Sequence, residues 1–263
     1  AKIPLIKGET NTGTIMSHGY DSKLTSWSPF HGALYAVIES VAKVVASGGD
    51  YAKIRFTFQE YFERLRQDPE RWGKPFSALL GAYRAQKSFG LPAIGGKDSM
   101  SGTFKDIDVP PTLVSFAVDT VDVNNVISPE FKEAGSRLVY LPVMRDEAEM
   151  PNIKKLKKNY TRVEKMISEG KIKAASAVTI GGLAEAISKM TFGNMIGAEI
   201  TAELNEAELF SPEYGALILE LAAGEKAEEL FAGLDFEIIG KTISEEFIKI
   251  NVSSISLTEA LKN

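Results

Sequence analysis

The stretch Pro92-Ala93-Ile94-Gly95-Gly96-Lys97-Asp98-Ser99-Met100-Ser101-Gly102 decides how the rest of the chain is read. Leu91 to Ile94 has the character of a short strand running into it. Paired glycines let a backbone approach a ligand closely. The amides that follow, with Lys97, Ser99 and Ser101, supply the charge and donors that surround a phosphate. The segment nevertheless fails as a nucleotide-binding P-loop. Gly90 lies one residue too far from Gly96-Lys97, and Asp98 stands where a Ser or Thr would hold magnesium. A P-loop NTPase is therefore excluded. Two readings stay open: a phosphate cradle, or a glycine-rich turn between strands with an exposed Lys-Asp pair.

Working outward, Ser28-Pro29 is an N-cap and N1 pair that opens a helix with Leu34, Val37, Ile38, Val41, Val44 and Val45 at helical spacing, closed by Gly48-Gly49. Ile54, Phe56 and Phe58 alternate with polar residues as in a half-buried strand. A second helix is predicted from Pro75, with Phe76, Leu79, Leu80 and Tyr83 turned inward and Gly90 at its end. Thr112 to Val118 reads as a strand, and Val126 to Ser136 as a polar linker. Beyond it the pattern predicts strands at 137–142, 174–179, 196–204, 216–221, 236–239 and 247–252. Helices are predicted at 152–169, from Gly181-Gly182 to Met190, and near 225–230 and 257–261. The mixture is α+β, with two domains at 1–133 and 134–263.

Composition narrows the chemistry. The 263 residues contain no cysteine and two histidines, His18 and His31, so disulfides, thiolate metal sites, cysteine nucleophiles and histidine-rich centres are excluded. A formal charge of −5 argues against general nucleic-acid binding. The longest apolar run, Gly215 to Ala223, is too short to span a membrane and carries Glu220. The expected setting is the cytoplasm. The start at Ala1, in the middle of a strand-like run (Lys2-Ile3-Pro4-Leu5-Ile6), hints at an excised piece, and N-terminal processing is the plainer alternative.

Three further features admit more than one reading. His31, Tyr35, Glu39 and Lys43 recur every four residues along the first helix, as a solvated face with one ion pair or as part of a site. The lysine-rich run from Lys154 to Lys173 reads foremost as the solvated side of an amphipathic helix and otherwise as an attractor for phosphates or acidic partners. It has no interleaved aromatics to stack bases. Thr179-Ile180-Gly181-Gly182-Leu183-Ala184-Glu185-Ala186 is either a generic anion site at a helix start or tight strand-to-helix packing. His18 receives no role.

Taken in order, Ser28 to Ser40, Pro92 to Ser101, Pro111 to Val118, Gly181-Gly182-Leu183 and Leu209-Phe210-Ser211-Pro212-Glu213-Tyr214-Gly215-Ala216 resemble the formylglycinamide ribonucleotide amidotransferase (phosphoribosylformylglycinamidine synthase) family over almost the whole chain. Large members carry two modules related to aminoimidazole ribonucleotide (AIR) synthetase followed by a glutaminase domain, and this chain resembles the second module. The resemblance implies an N-terminal α/β domain whose sheet pairs with the first module, and a C-terminal α+β domain. It also implies a place in purine biosynthesis, in an ATP-dependent ligase that uses magnesium and glutamine-derived ammonia. The glutaminase nucleophile would lie outside this cysteine-free chain, and the isolated piece is expected to be inactive.

In that frame Gly95, Gly96, Lys97, Asp98, Ser99 and Ser101 form a substrate-phosphate loop reaching an active centre built mostly by the first module. The nucleotide site is degenerate at Lys7, Glu39, Lys43, Thr179, Gly181 and Gly182. Lysine replaces Asn at 43, and Ala177-Val178-Thr179-Ile180-Gly181-Gly182 replaces an Asp-x-Ser-Asp-Gly-Gly loop. Hard cations need oxygen ligands, so this module is expected to hold no Mg-ATP, with Lys7 and Lys43 standing as fixed charges beside Glu39. The expected partners are the first module and the glutaminase domain, with a homodimer of the piece as a further possibility and neither nucleic acid nor membrane. The alternatives are a non-catalytic scaffold half, and a stand-alone kinase or synthetase of the same superfamily, such as selenophosphate synthetase or thiamine monophosphate kinase.

Overall fold

A computed structural model describes residues 7–262, so the strand-like run at 3–6 lies outside the described residues. In chain order the first half contains β1 (Thr12–Gly19), α1 (Ser22–Trp27), α2 (Pro29–Ala46), β2 (Arg55–Tyr61), α3 (Pro69–Phe89), β3 (Ala93–Lys97), the short hairpin β4 (Thr103–Phe104) and β5 (Ile107–Asp108), and β6 (Thr112–Asp122). The second half contains β7 (Arg137–Leu141), α4 (Ile153–Ser168), β8 (Ile172–Ala177), α5 (Gly182–Phe192), β9 (Gly197–Ile200), α6 (Glu206–Phe210) and β10 (Leu217–Leu221). After these come α7 (Ala227–Leu230), β11 (Glu237–Ile243), β12 (Phe247–Ile250), β13 (Ser253–Ser256) and α8 (Leu257–Ala260). The architecture is α+β. A four-stranded sheet ordered β1-β6-β2-β3 belongs to the first half, and a seven-stranded sheet ordered β13-β12-β9-β11-β7-β10-β8 to the second.

Helix α2 is the axle of the molecule. Ser28 caps it, its Oγ accepting from the His31 amide, and Pro29 occupies the first turn. From Gly32 to Ala46 every residue except Lys43 is buried. One side packs on β1 and β6, where Ser40 and Ser115 hydroxyls meet at 2.9 Å and Ser17 donates to the Ser40 carbonyl at 2.6 Å. Other sides meet α3, α4 and β8. The sheet shows period two: Leu113, Ser115, Ala117, Asp119 and Val121 of β6 turn toward the helices, and Phe116 and Thr120 turn to the opposite, open face.

The second helix departs from the sequence reading. It begins at Pro69, with Asp68 as its cap, and Pro75 lies inside it. Its inward face is made of Ala78, Gly81, Ala82 and Ala85. These small residues let α3 settle so closely on α2 that a Cβ on Gly81 would stand 2.0 Å from the Phe30 carbonyl oxygen. Phe76, Leu79, Leu80 and Tyr83, expected inside, are therefore turned outward and exposed. Hydrophobicity pointed the wrong way because close helix packing selected side-chain size. The glycine-rich stretch also runs as strand for longer than expected, with β3 extending through Gly95 and Gly96 to Lys97.

The polar connection between the sheets is pinned by a fully buried carboxylate. Glu220 of β10 accepts from the Lys132 amide at 2.8 Å and the Glu133 amide at 3.0 Å. Burial raises its pKa, and the two amides oppose that shift. Thr242 of β11 completes the anchor, accepting from the Ser136 amide at 2.9 Å and donating to the Glu133 carbonyl at 2.6 Å. Glu220→Ala leaves two donors unanswered and is expected to lower unfolding free energy by about 3 kcal/mol, with Glu220→Gln losing less. Urea midpoints measure both, and an unchanged midpoint for the alanine variant would remove Glu220 from this role.

Candidate functional site

The four-residue ladder on α2 runs along the seam between the two halves. At its start the His31 Nε2 lies 3.0 Å from the Ala148 carbonyl, which can only accept, so Nε2 carries the proton. Nδ1 meets the Ser28 hydroxyl at 2.8 Å. One turn on, the Tyr35 hydroxyl donates to the Glu149 carbonyl at 2.7 Å and accepts from Arg145 Nε at 3.0 Å. The Arg145 guanidinium also lies over the Tyr35 ring, 5.6 Å from its centroid. Burial raises the Tyr35 pKa, against the pull of Arg145. These contacts dock the 145–150 loop onto α2. They surround a cavity of about 210 Å³ whose walls include Asp21, Trp27 and Tyr214.

Two turns further the ladder enters a second cavity, of about 420 Å³. Lys43 Nζ is 2.6 Å from Glu39 Oε1 and donates to the His18 carbonyl at 3.0 Å. The Tyr20 amide donates to the other Glu39 oxygen at 3.0 Å. On the facing wall Glu185 Oε2 accepts from the Thr179 hydroxyl at 2.8 Å and the Gly181 amide at 2.9 Å, and Lys189 pairs with Oε1 at 2.5 Å. Burial raises the Glu185 pKa, and the Lys189, Thr179 and Gly181 contacts outweigh it, so the net shift is downward. The glycine pair has a local cause: Gly182 has φ +68, and a Cβ there would stand 2.5 Å from the Leu209 carbonyl oxygen. The anion at the start of α5 is the protein's own Glu185. Tyr214 separates the two cavities, donating to Asp21 at 2.6 Å, and burial drives its pKa upward.

The structure thus brings Glu39, Lys43 and Thr179 to one cavity, with Gly181 bonded into its wall and Gly182 beside it. Lys7 is exposed and forms no ion pair among the described residues, so Lys43 is the cation that meets Glu39. The donor set does not suit magnesium. Each carboxylate is already paired with an ammonium and a backbone amide, and a hard cation would have to compete with both. Tyr20, Asp21, Arg145, Glu185, Lys189 and Tyr214 were not singled out from sequence. Glu185 and Tyr214 do lie within stretches that drew attention, whereas Asp21 and Arg145 gave no local signal.

The Gly95–Ser101 segment is elsewhere, on the edge strand β3 at the opposite margin of the sheet from β1. Lys97 Nζ donates to the Asp98 carbonyl at 2.6 Å, and the Ser99 and Ser101 hydroxyls meet at 2.9 Å. The Ser99 amide and carbonyl bond to the backbone of Glu60 and Phe62, fixing the turn to the end of β2. Nearby Asp98 adds to burial in raising the Glu60 pKa. The open sheet face beside the segment carries exposed Met16, Phe116 and Tyr61.

A sheet-and-helix layer joined through a buried helix to a second mixed sheet is an α+β module, and its fold is that of AIR-synthase-related proteins. Residues 136–253 match the family described as AIR synthase related protein, C-terminal domain. The chain is 27% identical over 249 residues to the phosphoribosylformylglycinamidine synthase subunit PurL of Pyrococcus furiosus, covering 88% of this chain and 35% of that protein. It spans about a third of the length of the curated relatives it matches. T. maritima PurL, solved in complex with FGAR and with ATP, superposes with TM-scores of 0.76 and 0.73 at 14% and 15% identity. The superpositions cover 94% of this chain and 45% and 43% of those chains. The thiamine monophosphate kinase of Aquifex aeolicus superposes with a TM-score of 0.62 at 15% identity, over 93% of this chain and 88% of that one. The chain is thus similar to PurL in sequence and, over nearly its whole length, in fold.

A pH dependence follows from Glu185. Its folded pKa lies below the ordinary 4.5, so its contribution to stability is present above that value and is lost as pH falls through the folded pKa. Glu185→Gln is expected to lower the melting temperature at pH 7 and to flatten the acid-side decline below about pH 4.5. Thermal melts across that range test this, and an unaltered acid limb would contradict it.

Proposed function

We propose that this chain is one module of an ATP-dependent ligase of purine biosynthesis, which converts formylglycinamide ribonucleotide to the corresponding amidine with glutamine-derived ammonia. Its role there is to supply a substrate-phosphate loop and half of a pseudo-dimer interface. The observation that carries the reading is the exposed Gly95–Ser101 turn. Among the described residues, Lys97 and the Ser99 and Ser101 hydroxyls have no side-chain partner outside the turn, and they lie next to an open sheet face with exposed apolar side chains. Such a face calls for cover, and a second sheet laid on it would bring its own residues to the turn. Lys97 supplies charge, the two serines supply donors, and Asp98 orients Lys97 or accepts from a ribose hydroxyl.

In this reading the two domains divide at residue 133, the partners are the first AIR-synthetase-like module and the glutaminase domain, and the cytoplasm is the site of action. Mg-ATP serves the first module. In this one, Lys43 stands where a metal would otherwise sit against Glu39. The isolated piece is inactive because the reacting centre belongs chiefly to the other module. The self-neutralised carboxylates also favour a narrower role as a non-catalytic scaffold half. The stand-alone kinase alternative has weaker support, since the A. aeolicus enzyme superposes with a TM-score of 0.62 against 0.76 for T. maritima PurL.

Lys97→Ala in the assembled enzyme separates the active-loop and scaffold readings. A loop that holds substrate phosphate predicts a rise in KM or a fall in turnover of roughly tenfold or more, and unchanged kinetics leaves only the scaffold. Calorimetry of this chain with Mg-ADP addresses the cavity. No magnesium-dependent heat is expected at micromolar concentrations, and micromolar magnesium-dependent binding would reject the degenerate-site reading.

A further inference from the structure

Helix α3 presents to solvent a stripe that a solvated helix would not carry. Trp72, Phe76, Leu79, Leu80 and Tyr83 are between 43% and 62% exposed. They follow helical spacing over three turns, a run of about 16 Å. The stripe does not end in neutral surface. At its C-terminal end Lys87 lies over the Tyr83 ring, and Arg84 enters a crevice of about 670 Å³ between α3 and the start of α4. Lys154, Lys157 and Lys158 line the same crevice, and its one carboxylate, Asp146, accepts from the Ala148 and Met150 amides of its own loop. Lys157 is committed to the Ser88 and Phe89 carbonyls. Arg84, Lys154 and Lys158 have no hydrogen bond or ion pair among the described residues. A chain of net charge −5 has therefore gathered unpaired cations at one end of an exposed apolar stripe.

We propose that this face docks an acidic amphipathic helix of a partner protein, lying antiparallel to α3, with apolar side chains over Phe76, Leu80 and Tyr83 and acidic residues in its first turn over the crevice. Two arguments select this occupant. Trp72, Phe76 and Leu80, four residues apart, form the ridge that another helix packs against, with Leu79 and Tyr83 beside it. Acidic side chains are most stable in the first turn of a helix, where they offset its positive dipole end, and the antiparallel orientation carries those carboxylates, whose full charges outweigh that partial one, to the cations of the crevice. A second copy of this chain offers less. Its α3 would place Asp68 and Glu70 near the cations, but Asp68 already faces Arg71, and Lys154 and Lys158 would remain unanswered.

Trp27 and Trp72 are the two tryptophans of the chain, so Trp27→Phe leaves Trp72 as a reporter on the stripe. The probe is a synthetic helix of about 18 residues with leucines at helical spacing and three glutamates in its first turn, compared with the same peptide bearing lysines there. The expected result is a blue shift of Trp72 emission with the acidic peptide, roughly tenfold weaker binding of the lysine peptide, and a reversal of that preference in Arg84→Glu/Lys158→Glu. Leu80→Glu abolishes the shift while circular dichroism stays native. Equal binding of the two peptides, or no shift with either at about 1 mM, overturns the proposal. So does a wild-type dimer split by Leu80→Glu in light scattering, which assigns the face to a second copy, or tighter binding of oligouridylate than of the peptide.

Discussion

Glu39 carries a charge into a helix that is buried along nearly its whole length, and the surrounding structure follows from how that charge is answered. An unpaired carboxylate there would carry a desolvation penalty of several kcal/mol. Lys43, one turn later, places its ammonium against one oxygen, and the Tyr20 amide takes the other. The pair does more than neutralise. Lys43 also reaches the His18 carbonyl, so the end of β1 is tied to the helix that covers it. Tyr20, held by its amide, sends its hydroxyl to Thr112 at the start of β6. Across the cavity, Glu185 is answered in the same way by Lys189 and a backbone amide. Two carboxylates and two ammonium groups leave the cavity without net charge, which is the opposite of what a dication needs.

The same helix fixes the relation between the two sheets. His31 and Tyr35 bind carbonyls of the 145–150 loop, and Tyr214, arriving from the second half, binds Asp21 at the cap of α1. Each contact joins a side chain whose burial depends on the other half being in place. Docking and local order are therefore coupled: removing the second half would expose α2 along an apolar side and leave the Tyr35 hydroxyl without the loop it binds.

Much of this was legible in the sequence, for identifiable reasons. The α+β class, the α2 boundaries, the long β6 strand and the linker were marked by strong periodicity or by Ser-Pro, Gly-Gly and Pro-Pro punctuation. The Lys43–Glu39 pair was legible because i,i+4 spacing dictates it. The orientation of α3 was not. Phe76, Leu79, Leu80 and Tyr83 outweigh Ala78, Gly81, Ala82 and Ala85 on any hydrophobic count, and only the closeness of Phe30 shows that the small face is the packed one. The partners of the ladder were also hidden. Arg145, Glu149 and Tyr214 lie more than a hundred residues from Tyr35, and a carbonyl acceptor such as that of Ala148 has no signature at all. The lysine-rich helix gave a mixed result. Lys155 and Lys165 are spent on Asp235 and Glu169, as a solvated face would have it, whereas Lys154 and Lys158 line a crevice.

The N-terminal layer has one more property that bears on what kind of object this is. Its sheet is covered by helices on one side and shows Met16, Phe116 and Tyr61 on the other, and the α3 helix shows aromatics and leucines on its far side as well. A self-sufficient domain of this size keeps such patches small. Here both outer faces of one layer carry exposed apolar side chains, while the seam with the second half is laced by hydrogen bonds and ion pairs around its two cavities. The exposed apolar surface is thus not a failure of packing, because wherever the chain can cover itself it does so with small residues and paired charges. In the first half the exposed apolar residues include a row on the open sheet face and a stripe on α3. The Gly95–Ser101 turn sits at the margin of that sheet, and in the proposed reading a second module laid on the open face would complete a phosphate site there.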